Sequence, residues 1–149
     1  MDRVILKMEL DAKDLAIISN LKENARLSVR DIAKKTGIRP STVHQRITQL
    51  KKNNIIEKFT LKLNNKAIAE NFIVFLLIKT KPAAVLDSKI INNIHVKEVF
   101  GITGEYDLLL KLKFRDIDEF NEFIIKFRKE QSVITTLTTV VTATVKEEM

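Results

Sequence analysis

Between Ser28 and Leu50 the chain encodes two short helices and the break between them, and that break leaves few folds open. Ser28-Val29-Arg30-Asp31 is a capping-box-like start, in which a hydroxyl and a carboxylate three residues apart satisfy each other's backbone N–H groups. Val29, Ile32 and Ala33 follow at helical spacing, and the small Ala33 lets another helix cross closely. Gly37 supplies the left-handed backbone that stops a helix. Pro40 then stands at a first helical position, where its missing N–H costs nothing. Val43, Ile47 and Leu50 form the inward stripe of the next helix. On a helical wheel Ser41, Gln45, Thr48 and Gln49 point away from that stripe, with Thr42 and Arg46 on its flank. The outline is a helix-turn-helix with a polar outer face.

The flanks extend this unit. Asp11 opens a preceding helix, with Asp14 at the positive end of its dipole and Leu15, Ile18 and Leu21 as its expected inward stripe. Asn24 and Ala25 end it. Asn54 suits a left-handed turn, and Ile55 to Leu63 reads as a short hairpin, a wing carrying Lys58 and Lys62. Asn64-Asn65-Lys66 is polar and strand-breaking, which puts the boundary between domains at residues 1–66 and 67–149.

Beyond the linker the rhythm changes. Phe72 to Thr80 is β-rich; Pro82 to Asn93 reads as a helix with Leu86, Ile90 and Ile94 inward. Val96 to Thr103 and Tyr106 to Phe114 read as strands around a Gly104 turn. Asp116 caps a helix with Phe120, Ile124 and Phe127 inward, and Val133 to Val145 reads as a last long strand. The order β-α-β-β-α-β is the ferredoxin-like plan, so the fold class is α+β. Both faces of this sheet carry apolar side chains: Phe72, Val74, Leu76 and Ile78 on one, Ile73, Phe75 and Leu77 on the other. Two helices cover one face only. The other calls for a partner, and a second copy related by a two-fold axis is the simplest.

Charge separates the halves. Residues 1–66 hold 15 Lys and Arg against 7 Asp and Glu, a net of +8, while residues 67–149 hold 11 against 12, a net of −1. Such segregation points to a nucleic-acid module joined to something else. The absence of cysteine removes disulfides, thiolate zinc sites and thiol catalysis. No apolar run is long enough for a membrane helix, and Met1 to Met8 is too short an apolar stretch for a secretory signal, so a cytoplasmic location is expected.

Side chains of the second helix of the pair then acquire a chemistry. Gln45 and Gln49 lie one turn apart, and glutamine pairs bidentately with adenine in the major groove; Arg46 suits guanine or phosphate. Ser28, Ser41, Thr42 and His44 complete the expected DNA-facing set, with Arg30, Lys34, Lys35, Arg39, Lys51 and Lys52 as backbone contacts that position without specifying. In the second half, Gly101-Ile102-Thr103-Gly104-Glu105-Tyr106-Asp107 joins two strands. Exposed N–H groups near Gly101, Thr103 and Gly104 suit a carboxylate, and Glu105 or Asp107 suits an ammonium, which together describe a free amino acid. Spacing alone favours a hairpin turn anchored by Tyr106. His44 and His95 stand in different domains, and no metal cluster, P-loop or nucleophile motif occurs, so the expectation is a binding protein with no cofactor rather than an enzyme.

The whole chain resembles the Lrp/AsnC family, the feast/famine regulators. The resemblance runs through Leu10-Asp11 with Asp14, Asn24-Ala25-Arg26, Ser28, Ile32-Ala33, Gly37, Thr42-Val43, Arg46-Ile47, Leu50 and Ile55-Ile56. It continues in Val99, Gly101, Thr103-Gly104 and Tyr106-Asp107. Arg39 stands where the family usually has a capping serine, and Asn53-Asn54 where it has a glycine. The resemblance implies a winged-helix DNA-binding domain, a ferredoxin-like ligand domain, homodimers that assemble further, often to octamers, and transcriptional control modulated by an amino acid. Two other readings stay open at this point: an architectural DNA-binding protein with a vestigial effector site, and a small-molecule-sensing module that binds no DNA.

Overall fold

Reciprocal capping starts the first two helices. The Asp14 N–H donates to Asp11 Oδ1 at 2.9 Å and the Asp11 N–H donates to Asp14 Oδ2 at 3.2 Å, opening α1 (Ala12–Glu23). Ser28 and Asp31 do the same for α2 (Val29–Thr36), which Gly37 ends in the left-handed region at φ 71°. Pro40 begins α3 (Pro40–Lys52). These three helices enclose Ile17, Ile32, Ala33, Val43 and Leu50, with Ile18, Leu21, Ile47, Ile55 and Ile56 packed around them. The computed structural model describes residues 9–84 and 86–147; the N-terminal Met1–Met8 stretch and Val85 of the expected Pro82–Asn93 helix lie outside them. The described residues form two compact units that divide between Leu61 and Lys62, a few residues before the boundary expected from the sequence.

Two sequence expectations for the first unit change. Leu15 is 54% exposed, and the inward position is Ile17, fully buried. The inward stripe runs from the buried Asp14 and Ile17 to the half-buried Ile18 and Leu21, so it opens on a carboxylate. The Ile55–Leu63 wing forms no strand pair. Ile55 and Ile56 instead donate their N–H groups to the Leu50 carbonyl and tuck against the helical core. The stretch that follows, Glu57 to Leu63, holds no Gly, Asn or Asp to favour a two-residue hairpin turn. It leaves Phe59, Leu61 and Leu63 exposed in alternation.

The second unit contains β1 (Phe72–Thr80), α4 (Ser88–Ile91), β2 (Val96–Gly101), β3 (Leu108–Phe114), α5 (Ile117–Phe127) and β4 (Val133–Val140). Its strands lie in the antiparallel order β2-β3-β1-β4, the ferredoxin-like arrangement. Val74, Leu76, Ile78, Leu110, Leu112 and Phe114 meet Phe120, Phe123, Ile124 and Phe127 of α5 in one core. Four elements are shorter than expected, among them the third strand, which begins at Leu108 rather than Tyr106. The helix expected from Pro82 is a single turn, because Ala83 sits at φ 57° and Asp87 caps only Ser88–Ile91. Ile94 therefore lies outside it, 77% exposed. The second strand stops at Gly101 and the last at Val140.

Register shows what the other sheet face offers. Phe100 pairs with Leu109, Leu109 with Leu77, and Leu77 with Leu137. Residues paired across strands share a face, so these four side chains form one apolar row across all four strands on the side away from α5. Phe100 is 45% and Leu137 48% exposed.

Candidate functional site

The outer face of α3 is built by what holds its inner face. Val43 and Leu50 are fully buried, so Ser41, His44, Gln45, Thr48 and Gln49 emerge into solvent. Thr48 is turned back, its hydroxyl donating to the His44 carbonyl at 3.0 Å. Thr42, Gln45 and Gln49 line a shallow cleft of about 310 Å3 together with Asp14 and Arg46. At the start of the helix Arg39 occupies the N-cap and no side chain caps the first turn. An uncapped helix N-terminus presents its N–H groups and the positive end of its dipole to an anion. Arg39 and Lys13 flank a second cleft of about 400 Å3 beside Thr42 and Gly37.

The other expected residues of this unit fall into two sets. Arg30 and Arg39 are exposed. Ser28 is committed to the α2 cap: its hydroxyl donates to Asp31 Oδ2 at 2.6 Å, which holds the Asp31 carboxyl below its usual range. Lys51 lays its ammonium over the Phe59 ring, 5.8 Å from the centroid. Arg46 differs most from expectation. Instead of reaching outward, its Nη1 donates to Asp11 at 2.7 Å and to Asp14 at 2.9 Å. Asp14 is 3% exposed. The hydrogen bonds to Asp14 and Asp11 raise the Arg46 pKa further. On Asp11, the Asp14 N–H and then Arg46 hold the carboxyl below its ordinary value. Residue typing on a wheel misses this pair, because it sorts an aspartate to the outside.

In the second unit the Gly101–Asp107 turn is a junction between strands. The Ile102 N–H donates to the Asp107 carbonyl and the Asp107 N–H to the Ile78 carbonyl, both at 2.9 Å. The Asp107 side chain is engaged as well: Oδ2 accepts from the Thr80 N–H at 2.7 Å and from the Thr80 hydroxyl at 3.1 Å. Gly104, at φ 131°, makes the reversal that a side chain would strain. Thr103, Gly104 and Glu105 are exposed and Tyr106 is half-buried.

A polar cluster that the sequence reading did not anticipate lies on the open sheet face. Glu147 accepts from Lys111 at 2.6 Å, from Lys113 at 3.0 Å and from Asn65 at 3.2 Å. Led by the Lys111 bond, these contacts pull the Glu147 carboxyl down to about 2. They draw residues 141–147 across Ile73 and Phe75, beside a groove of about 350 Å3. Two lysines at alternate positions of an otherwise apolar strand were the available signal. Among the described residues no group of His, Asp and Glu has the spacing to hold a metal ion, and no helix is long and apolar enough to cross a membrane.

Comparison with known proteins agrees with both halves. Residues 10–57 match a winged helix-turn-helix DNA-binding model, and residues 73–149 match the Lrp/AsnC ligand binding domain. The HTH-type transcriptional regulator FL11 of Pyrococcus abyssi is 33% identical over 144 residues, covering 95% of each chain. The structure of LrpC from B. subtilis superposes with a TM-score of 0.86 at 26% identity, covering 95% of this chain and 100% of that one. The NMB0573 regulator of Neisseria meningitidis, crystallised with L-Met, shares the fold with a TM-score of 0.87 at 23% identity over 94% of each chain. With a DNA-binding helix-turn-helix, a ligand-binding sheet domain and relatives matched along nearly its full length, the chain belongs to the Lrp/AsnC family of transcriptional regulators.

Proposed function

We propose that α3 enters the major groove and that Gln45 and Gln49 read base edges there, helped by Ser41, Thr42 and His44. Arg30, Arg39 and Lys51 hold the phosphate backbone, and the uncapped first turn of α3 takes a phosphate oxygen. Ser28 acts through the α2 cap. The observation that carries this reading is the outer face of α3: two exposed glutamines one turn apart, on a helix whose N-terminus is uncapped, in the half of the chain with a net charge of +8. Glutamine in this setting discriminates adenine, while the cations add affinity that falls with salt.

The second unit, on this reading, binds a free amino acid, as the L-Met complex of the Neisseria relative suggests, and its site is the Gly101–Asp107 turn. Backbone N–H groups around Gly101, Thr103 and Gly104 meet the carboxylate, and the exposed Glu105 meets the ammonium. Asp107, already taken by Thr80, holds the turn in shape, with Tyr106 as its anchor. The apolar row Phe100, Leu109, Leu77 and Leu137 docks on the same row of a second copy. That gives a homodimer, the unit from which larger assemblies such as octamers build.

Calorimetry of the intact protein against the common amino acids, L-methionine first, tests the ligand assignment. A bound amino acid should alter affinity for DNA by about 5- to 150-fold, and DNA should alter affinity for the amino acid by the same factor. Glu105→Gln should remove that response and leave DNA binding intact. If no amino acid binds the intact protein, the turn is a strand junction only and the ligand assignment falls.

A further inference from the structure

We infer that Arg46 is a positioning residue that sets the seat of the recognition helix, and not a reader of bases. The inference rests on the reading that α3 enters the groove, and it assigns to Arg46 a part in that act which its sequence position conceals.

Three observations carry it. Arg46 bonds both carboxylates of the α1 start, Asp11 at 2.7 Å and Asp14 at 2.9 Å, through the same Nη1. Asp14 has no other large source of compensation for burial: its side chain is 4% exposed, with one oxygen on the Asp11 N–H and the other on Arg46. The cluster of two carboxylates and one guanidinium has a formal charge of −1, so an arginine pulled from it toward DNA would leave two anions beside the phosphates. Asp14 is buried while the Arg46 side chain is 27% exposed, so withdrawal of Arg46 would leave a buried carboxylate without its cation, which costs more than the intact pair contributes. Arg46 therefore stays on Asp14 when DNA binds, and the bond spans from α3 to α1 across 32 residues of chain.

The consequence is mechanical. Val43 and Leu50 fix which face of α3 packs into the helical core and how deep it sits, but apolar contacts are less directional than a hydrogen bond. A directional bond from Arg46 to a buried carboxylate at the α1 capping box fixes the remaining fine angle. Gln45 is its sequence neighbour and Gln49 lies one turn beyond, so the angle at which both meet base edges is set by the Arg46–Asp14 bond.

Sites enriched from random duplexes, together with affinities measured well below the melting temperature, test this on the full chain. The variants are Arg46→Gln, Arg46→Lys, Asp14→Asn, the double variant Arg46→Gln/Asp14→Asn, and Gln45→Ala. Arg46→Gln and Asp14→Asn should each weaken binding to every duplex by a similar factor, about tenfold or more. The preferred sequence should stay the same, and the double variant should lose little beyond either single one. Arg46→Lys, which keeps a cation within reach of Asp14, should recover part of the affinity. A role in stability alone would lower the melting temperature and leave the affinity of the folded protein unchanged, which overturns the inference. So does a change of preference at one base pair in Arg46→Gln that Asp14→Asn does not share. If Arg46→Gln does not fold, Arg46→Lys and Asp14→Asn carry the same comparison. Gln45→Ala separates the two levels: if it leaves base preference untouched, the placement of α3 in the groove is at fault rather than the role of Arg46.

Discussion

Glu147 shows how much one side chain can hold. Its carboxyl, at about 2 against an ordinary 4.5, is stabilised in its charged form by Lys111 first and then Lys113. The folded-state pKa is depressed, so this contribution is fully present above about pH 4.5 and is lost as the pH falls toward about 2. Acid titration followed by fluorescence of Tyr106, the one tyrosine of the chain, reports on this unit. The wild type should lose stability steeply through that window, and Glu147→Gln should start lower and fall less. On the first helix, burial likewise turns on single residues. Ile17→Ala should destabilise the helical unit by about 2–5 kcal/mol, as expected for a fully buried isoleucine. Leu15→Ala should change stability by no more than about 0.5 kcal/mol. Thermal melts of the two variants decide which of the two side chains faces inward. Apolar spacing pointed to Leu15 because Asp14 was counted as polar; its burial depends on Arg46, a partner 32 residues away that no local pattern reveals.

Elements whose ends are written in local chemistry were the legible ones. Asp11, Ser28 and Asp116 each begin a helix with a side chain on a backbone N–H, and Gly37 ends one. At φ 71° with open space around its Cα, Gly37 costs a replacement residue backbone strain alone. Gly37→Ala should lower stability by about 1–2 kcal/mol, and Gly37→Asn by less, read from the melting of helical circular dichroism. Elements defined by tertiary pairing were less legible. The strand expected to reach Val145 stops at Val140; Val141 makes the last bond to β1, through the Ile73 carbonyl, and Glu147 then draws the chain over the sheet. The helix expected from Pro82 is one turn because Ala83 adopts a positive φ, which an alanine gives no warning of. The wing failed for a related reason: alternation of Phe59, Leu61 and Leu63 specifies an extended backbone but names no strand to pair with. Of the candidate site, the outer face of α3 was legible because it follows from the inner stripe. The commitments of Arg46, Ser28 and Asp107 within the chain were not.

The whole molecule is a regulator whose two units carry separate chemistries on separate surfaces. The apolar row across the sheet is the feature that most needs a second copy, since Phe100 and Leu137 stand half in water. Leu137→Asp changes a half-exposed side chain, so the fold of one chain should survive, while sedimentation should show the intact protein falling from a dimer or larger to a monomer. A variant that stays assembled would place the interface elsewhere. A two-fold dimer with α3 in the groove imposes a spacing on its operator, and that spacing joins every level of the account. Selection of duplexes from a random pool by the full-length protein measures it directly. The predicted result is an enriched inverted repeat with half-sites about 10–10.5 base pairs apart or a multiple of that, altered at one position per half-site in Gln45→Ala. Binding that enriches no sequence and vanishes uniformly with salt would contradict it.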